Sequence, residues 1–160
     1  FIPKGSIYMA TLGKAAGVMG AFVAGNNDFI EFLIQKSRPY TYTTAIPPSV
    51  CQAILMSLEI IKSGEQKEKL LKNIDFFKTM SSQLGLNFEN SDSAIQPLIV
   101  GSSQRALEIS NNLFDSGFFV SAIRPPTVPP NTARLRFTLS ANHQSEEIES
   151  LLEKVKNAMA

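Results

Sequence analysis

An α/β fold is what this sequence predicts, its C-terminal part an α+β unit, and three patterns carry that expectation. Short apolar runs bounded by glycine alternate with longer segments whose apolar residues recur at helical spacing. Residues 133–140 alternate strictly, with Leu135, Phe137 and Leu139 on one face and Arg134, Arg136 and Thr138 on the other, as a half-buried strand does. From residue 86 onward the order is strand, helix, strand, strand, helix, which suits an antiparallel or mixed sheet with its helices on one face.

In chain order, Ile7-Tyr8-Met9-Ala10 reads as the end of a buried strand and Gly20–Gly25 as a second strand leaving a loop. Asp28 is placed to cap a helix carrying Phe29, Ile30, Leu33 and Ile34, which should stop before Pro39. Tyr40–Thr44 reads as extended and rich in hydroxyls. Pro47-Pro48 set the first turn of a helix with the stripe Val50, Ile54, Leu58 and Ile61, ended by Gly64. Cys51, on the same helix, is expected to be a buried structural thiol, because no basic neighbour in sequence would activate it. Residues 65–84 form a third helix with Leu70, Ile74, Phe77 and Leu84 inward, the pairs Glu65–Lys69 and Glu68–Lys72 outward, and Gly85 as its cap.

Composition changes at about 85–92, where a subdomain boundary is expected. Residues 94–101 are a strand that Pro97 assigns to an edge or bulge. A helix over 103–116 closes at Gly117, and Phe118–Ile123 is the next strand. Arg124-Pro125-Pro126-Thr127-Val128-Pro129-Pro130 is a stiff loop leading to the alternating strand. Ser145 is expected to cap the last helix, with Glu146 and Glu147 in its first turn and Lys154 and Lys156 near its end.

The bulk numbers exclude several classes. With 160 residues, 44% of them hydrophobic, the chain can close a sizeable core. A formal charge of +1 argues against nucleic acid or an acidic membrane as the main partner. The single cysteine rules out an internal disulfide and fits a reducing cytoplasm, and no apolar run approaches the ~20 residues of a membrane span. A lone histidine, His143, in a polar turn, offers no metal cluster and reads as a surface or capping residue.

The chemistry concentrates in Thr11-Leu12-Gly13-Lys14-Ala15-Ala16-Gly17-Val18-Met19-Gly20. Its glycines let backbone turn sharply and approach a ligand. A lysine desolvated there would present a free amine able to condense with an aldehyde, as with pyridoxal phosphate, and Thr11 would offer its hydroxyl to a phosphate. The spacing alone describes equally well, and more commonly, a glycine-rich turn with a solvated lysine. Arg124, Arg134 and Arg136 are placed either to fork a carboxylate or simply to solvate a strand. Thr43 and Thr44 read, by themselves, as ordinary strand residues.

The block Thr11-Leu12-Gly13-Lys14-Ala15, with Gly17 and Gly20, resembles the lysine signature of class II pyridoxal-phosphate transferases, Ala16 standing where that signature usually has a larger residue. With Tyr40–Pro48, Ser93–Gly101 and Ala122–Pro129 continuing through Thr132–Arg136, the likeness covers most of the chain and is to the α-oxoamine synthases, the Arg-Pro-Pro-Thr-Val-Pro block pointing to the branch that makes 8-amino-7-oxononanoate. The resemblance implies the C-terminal portion of a fold type I transferase: residues 1–88 the end of the cofactor-binding large domain, residues 89–160 the small C-terminal domain. It implies a decarboxylative condensation of L-alanine with a pimeloyl thioester, carried by coenzyme A or a carrier protein, in biotin biosynthesis. Lys14 would be the catalytic lysine that holds pyridoxal phosphate and moves the Cα proton. Thr11 would bind the cofactor phosphate, and Thr43 or Thr44 that of the neighbouring subunit in a cytoplasmic homodimer. Arg136 would clamp the substrate carboxylate, with Thr127 and Arg124 lining the substrate pocket. Glycine C-acetyltransferase chemistry and a non-catalytic interaction domain of the same fold are the alternatives. The family's ring-facing aspartate and ring-stacking histidine belong upstream of Phe1, so the 160 residues alone are expected to be inactive or nearly so.

Overall fold

The computed structural model describes residue 3 and residues 5–159; Phe1, Ile2 and Lys4, in the opening stretch, and Ala160 lie outside the described residues. The chain forms two compact units, Phe1–Gly64 and Glu65–Ala160. The helix over 65–84 thus belongs to the second of them. The division expected at 88/89 concerns domains of a longer fold.

In the first unit, β1 (Tyr8–Thr11) and β2 (Ala21–Ala24) pair antiparallel, Tyr8 opposite Ala24 and Thr11 opposite Ala21. Helix α1 (Asn27–Lys36) starts from Asn26, whose side chain accepts the Phe29 N–H at 2.8 Å. Asp28, expected as the cap, stands in the first turn instead: capping needs the extended backbone that Asn26 has, with ψ of 162°. A single turn, α2 (Arg38–Thr41), follows with Pro39 near its start. It replaces the extended segment expected over Tyr40–Thr44, because the fixed φ of proline suits a first helical turn as well as an extended chain. The Thr41 and Thr43 hydroxyls donate back to the carbonyls of Ser37 and Pro39 and hold that turn.

Helix α3 (Pro48–Ser63) begins at the proline pair and ends on Gly64 in left-handed geometry, φ 74°. Its half-buried row is Val50, Ile54 and Ser57. Leu58 and Ile61, expected inward, are 39% and 49% exposed. Cys51 is exposed rather than buried, since it lies about 100° around the helix from Val50 and off that row. The strand at Ile7–Ala10 is also out in solvent, with Ile7 57% and Met9 64% exposed. A two-stranded ribbon covers little of itself, and no described residue of this unit is fully buried.

The second unit holds the core. Its sheet runs β3 (Ile95–Gly101), β5 (Ala133–Thr138), β4 (Ser121–Ile123), all antiparallel, so Pro97 lies on an edge strand as expected. Helices α4 (Glu65–Gln83), α5 (Ser103–Asp115) and α6 (Ser145–Met159) supply its apolar layer: Phe77, Ile109, Leu113, Ile148 and Leu152 pack with Leu98, Leu135 and Phe137 of the sheet. Phe88 sits edge-on to both Phe77 and Phe137, with ring centroids 4.8 and 5.2 Å away.

Two ends differ from the expected ones. Strand β4 starts at Ser121, not Phe118, because the Phe118 N–H returns to the Leu113 carbonyl at 2.8 Å and the Gly117 N–H to Phe114 at 2.9 Å. These two bonds are a Schellman closure of α5, with Gly117 at φ 90°. Ser145 is the first helical residue of α6 rather than its cap. The residue before it, Gln144, donates its N–H to Glu147 Oε2 at 2.9 Å, one half of a capping box.

Candidate active site

Lys14 lies at the loop that closes the β1–β2 hairpin. The loop is pinned at its base by the Leu12 N–H to Gly20 carbonyl bond at 2.8 Å and the Val18 N–H to Leu12 carbonyl bond at 3.0 Å. A tighter turn closes inside it, the Gly17 N–H donating to the Lys14 carbonyl at 2.9 Å. Gly17 (φ 64°) and Gly20 (φ 135°) adopt backbone that side-chain-bearing residues avoid. From α3, the Ser57 hydroxyl donates to the Ala16 carbonyl at 2.7 Å and fixes the far side of the turn.

The expected desolvation of Lys14 is not met in this chain, where Lys14 is exposed. Thr11, the last residue of β1, is exposed too. Thr43 and Thr44 lie in the segment after α2; Thr43 turns its hydroxyl back to the Pro39 carbonyl, and Thr44 is exposed.

The second unit carries the other candidates, Arg134 and Arg136 on one face of its sheet and Arg124 and Thr127 in a loop. Arg136 is exposed on the central strand, between Pro97 of β3 and Ser121 of β4, and Arg134 is flanked by Ile99 and Ile123. The three helices leave this face uncovered at Ile95, Ile99 and Arg136. Arg124 and Thr127 stand in the loop joining β4 to β5, tied by the Thr127 N–H to Arg124 carbonyl bond at 3.0 Å. His143 is built into the turn before α6, its Nδ1 accepting the Ser140 N–H at 3.2 Å, as the capping reading expected.

An aldehyde-bearing phosphate monoester suits the first unit's donors. A primary amine projects beside glycines with open space around them, since a Cβ on Gly13 or Gly17 would meet nothing within 4 Å. A neutral hydroxyl stands three residues before it. Among the described residues no cluster could hold a metal ion. Ser57 is the site feature that sequence reading missed. Its partner lies 41 residues away, and the only trace of it is a serine interrupting an apolar row.

Residues 3–155 match the family described as aminotransferase class I and II, and the chain belongs to that family of pyridoxal-phosphate enzymes. Within it, the chain is 46% identical over 158 residues to 8-amino-7-oxononanoate synthase of Methylococcus capsulatus, which takes in 98% of this chain and 41% of that protein. It superposes with a TM-score of 0.82 and 32% identity on the crystal structure of 8-amino-7-oxononanoate synthase from Francisella tularensis, over 94% of this chain and 44% of that one. A serine palmitoyltransferase variant from S. paucimobilis, solved with a pyridoxal phosphate–myriocin aldimine bound, matches over 96% of this chain and 39% of its own at a TM-score of 0.83 and 26% identity. The resemblance seen in the lysine and arginine blocks is thus borne out, and so is the α/β transferase fold. The chain spans 41% of the length of its curated relative.

Proposed function

We propose that the protein is a pyridoxal-phosphate-dependent acyltransferase that condenses L-alanine with a pimeloyl thioester, releasing carbon dioxide and the thiol carrier to give 8-amino-7-oxononanoate for biotin synthesis. Lys14 at the closure of a glycine-shaped hairpin carries this reading. When bound, the cofactor supplies an electron sink for the pair left on the amino acid's α carbon. Lys14 holds it through its amine and, once freed, takes and returns the Cα proton at Nζ. The Thr11 hydroxyl donates to the cofactor phosphate, and Thr43 or Thr44 donates to that of a neighbouring subunit in a cytoplasmic homodimer. Arg136 forks the substrate carboxylate from the open sheet face, with Arg124 and Thr127 beside it. Residues 1–88 and 89–160 are then the ends of a large and a small domain. The 160-residue chain alone turns over little or nothing, because Lys14, whose amine the reaction needs desolvated, is exposed in it.

The fold by itself suits any α-oxoamine synthase, as the likeness to serine palmitoyltransferase supports; the higher identity to the oxononanoate synthase favours alanine. The test is to add pyridoxal phosphate to the full-length protein and to this chain, reduce with borohydride and map adducts by peptide mass spectrometry. An adduct confined to Lys14 is expected in the full-length protein, with condensation on alanine exceeding that on glycine or serine. Labelling scattered over the lysines, or none at Lys14, would falsify the assignment.

A further inference from the structure

The loop from Arg124 to Thr132 carries two of the proposed substrate residues, yet four of its members, Pro125, Pro126, Pro129 and Pro130, cannot donate a backbone hydrogen bond. Something else must fix its returning end. The Thr132 hydroxyl donates to the Pro129 carbonyl at 2.8 Å and its N–H to the same oxygen at 3.3 Å. Asn131, at φ 61°, makes the reversal in a conformation that asparagine tolerates. Arg134 then donates Nε–H to the Thr132 carbonyl at 3.1 Å. It is half-buried, where Arg136, two residues on along the same face, is exposed. A guanidinium bound by Nε has spent that donor on the backbone, so its side chain is tied to the chain it braces.

We propose that Arg134 is a positioning residue: through Thr132 it locks the end of the 124–132 loop and so holds Thr127 and Arg124 for the substrate. Arg136 meets the ligand, and Arg134 sets the shape around it. Only the kinetic part of this assignment rests on the proposed function; the lock itself does not.

The test compares the full-length protein with Arg134→Lys, Thr132→Val and the double variant. Lysine keeps the charge but lacks the Nε–H, and valine keeps the shape but lacks the hydroxyl. Loss of one such bond should speed amide exchange in peptides spanning 124–132 by about fivefold to tenfold, with β3 and α6 unchanged. KM for the thioester or the amino acid should rise by a similar factor while kcat is kept, and the double variant should be no worse than the more impaired single one, since the two bonds act in series along one brace. Unchanged loop exchange, or additive effects in the double variant, would overturn the lock. Faster exchange throughout the second unit with a lowered Tm would overturn it too, by making Arg134 a general stability residue. If the unsubstituted protein shows no condensation, the functional reading fails, and loop exchange still decides for or against the lock.

Discussion

The Ser57 hydroxyl and the Ala16 carbonyl, 2.7 Å apart, join α3 to the lysine loop. A net contribution of about 1 kcal/mol is usual for such a bond, or about fivefold in a local opening equilibrium. Ser57→Ala in the full-length protein should therefore speed exchange at the Gly17 and Val18 amides about fivefold and weaken pyridoxal phosphate binding by a similar factor, read from cofactor absorbance titrations. An unchanged affinity would separate the loop's shape from cofactor binding. The glycines behave differently from one another. Gly17 has open space where a Cβ would go, so Gly17→Ala meets backbone strain alone, roughly 1–2 kcal/mol. Gly20, at φ 135°, lies outside even the left-handed region that L residues can enter, so Gly20→Ala should destabilise the hairpin more, as urea unfolding of the two variants would show. The glycines and Lys14 were visible in sequence because they stand at fixed short spacings within one stretch of chain. Ser57 was not, because its role comes from chain that folds back over many positions.

The segment between α4 and β3 is held by two side chains of opposite character. Gln96, buried in β3, donates Nε2–H to the Ser91 and Ser93 carbonyls at 3.1 and 2.7 Å and shapes the turn entering the strand. Gln96→Leu would leave those carbonyls without that donor and should cost about 1–3 kcal/mol in denaturant unfolding. At the surface, Lys78 meets Asp92 Oδ1 at 2.6 Å and holds the Asp92 carboxyl below its ordinary value of 3.8, by hydrogen bond first and charge second. A folded-state value below the unfolded one gives stability that is present above the ordinary value and is lost as pH falls through the folded one. Asp92→Asn should therefore flatten the acid limb of a Tm-against-pH curve below that value and leave the neutral region nearly unchanged, the group being fully exposed. A steeper acid limb would reverse the assignment. Helical spacing found every long helix, and alternation found β5 with its two faces, because both periods are local. Ends moved by a few residues wherever a cap decided them, as at Asn26, Gln144 and Gly117. Whether an apolar face is covered is not a local property. Periodicity ran through Ile7–Ala10 and α3 and said nothing of their exposure, which is why Cys51 and Lys14 were expected in deeper surroundings than they have.

Every buried apolar residue among the described ones lies between Ile74 and Val155, so the two units differ in what can hold them folded. The second closes a layer of three helices over a three-stranded sheet, with Leu152 and Phe77 fully enclosed. The first carries the lysine hairpin on elements that hide little of their apolar surface, and burial is the dominant source of stability. Native-state hydrogen exchange on the 160-residue chain should accordingly show β5 and α6 opening only by unfolding of their whole unit, while β1, β2 and α3 exchange through local opening at much lower free energy. Leu152→Ala sharpens the test. It should lower protection in the second unit by about 2–5 kcal/mol and leave the hairpin's exchange where it was. Equal losses in both units would mean that the chain unfolds as one body and that the hairpin draws its order from the C-terminal core. Independence would make retention of pyridoxal phosphate at Lys14 insensitive to Leu152→Ala in this chain. It would also tie the fixing of Lys14 to whatever covers the first unit's apolar faces, so Lys14 labelling should be tighter in the full-length protein than in the 160 residues.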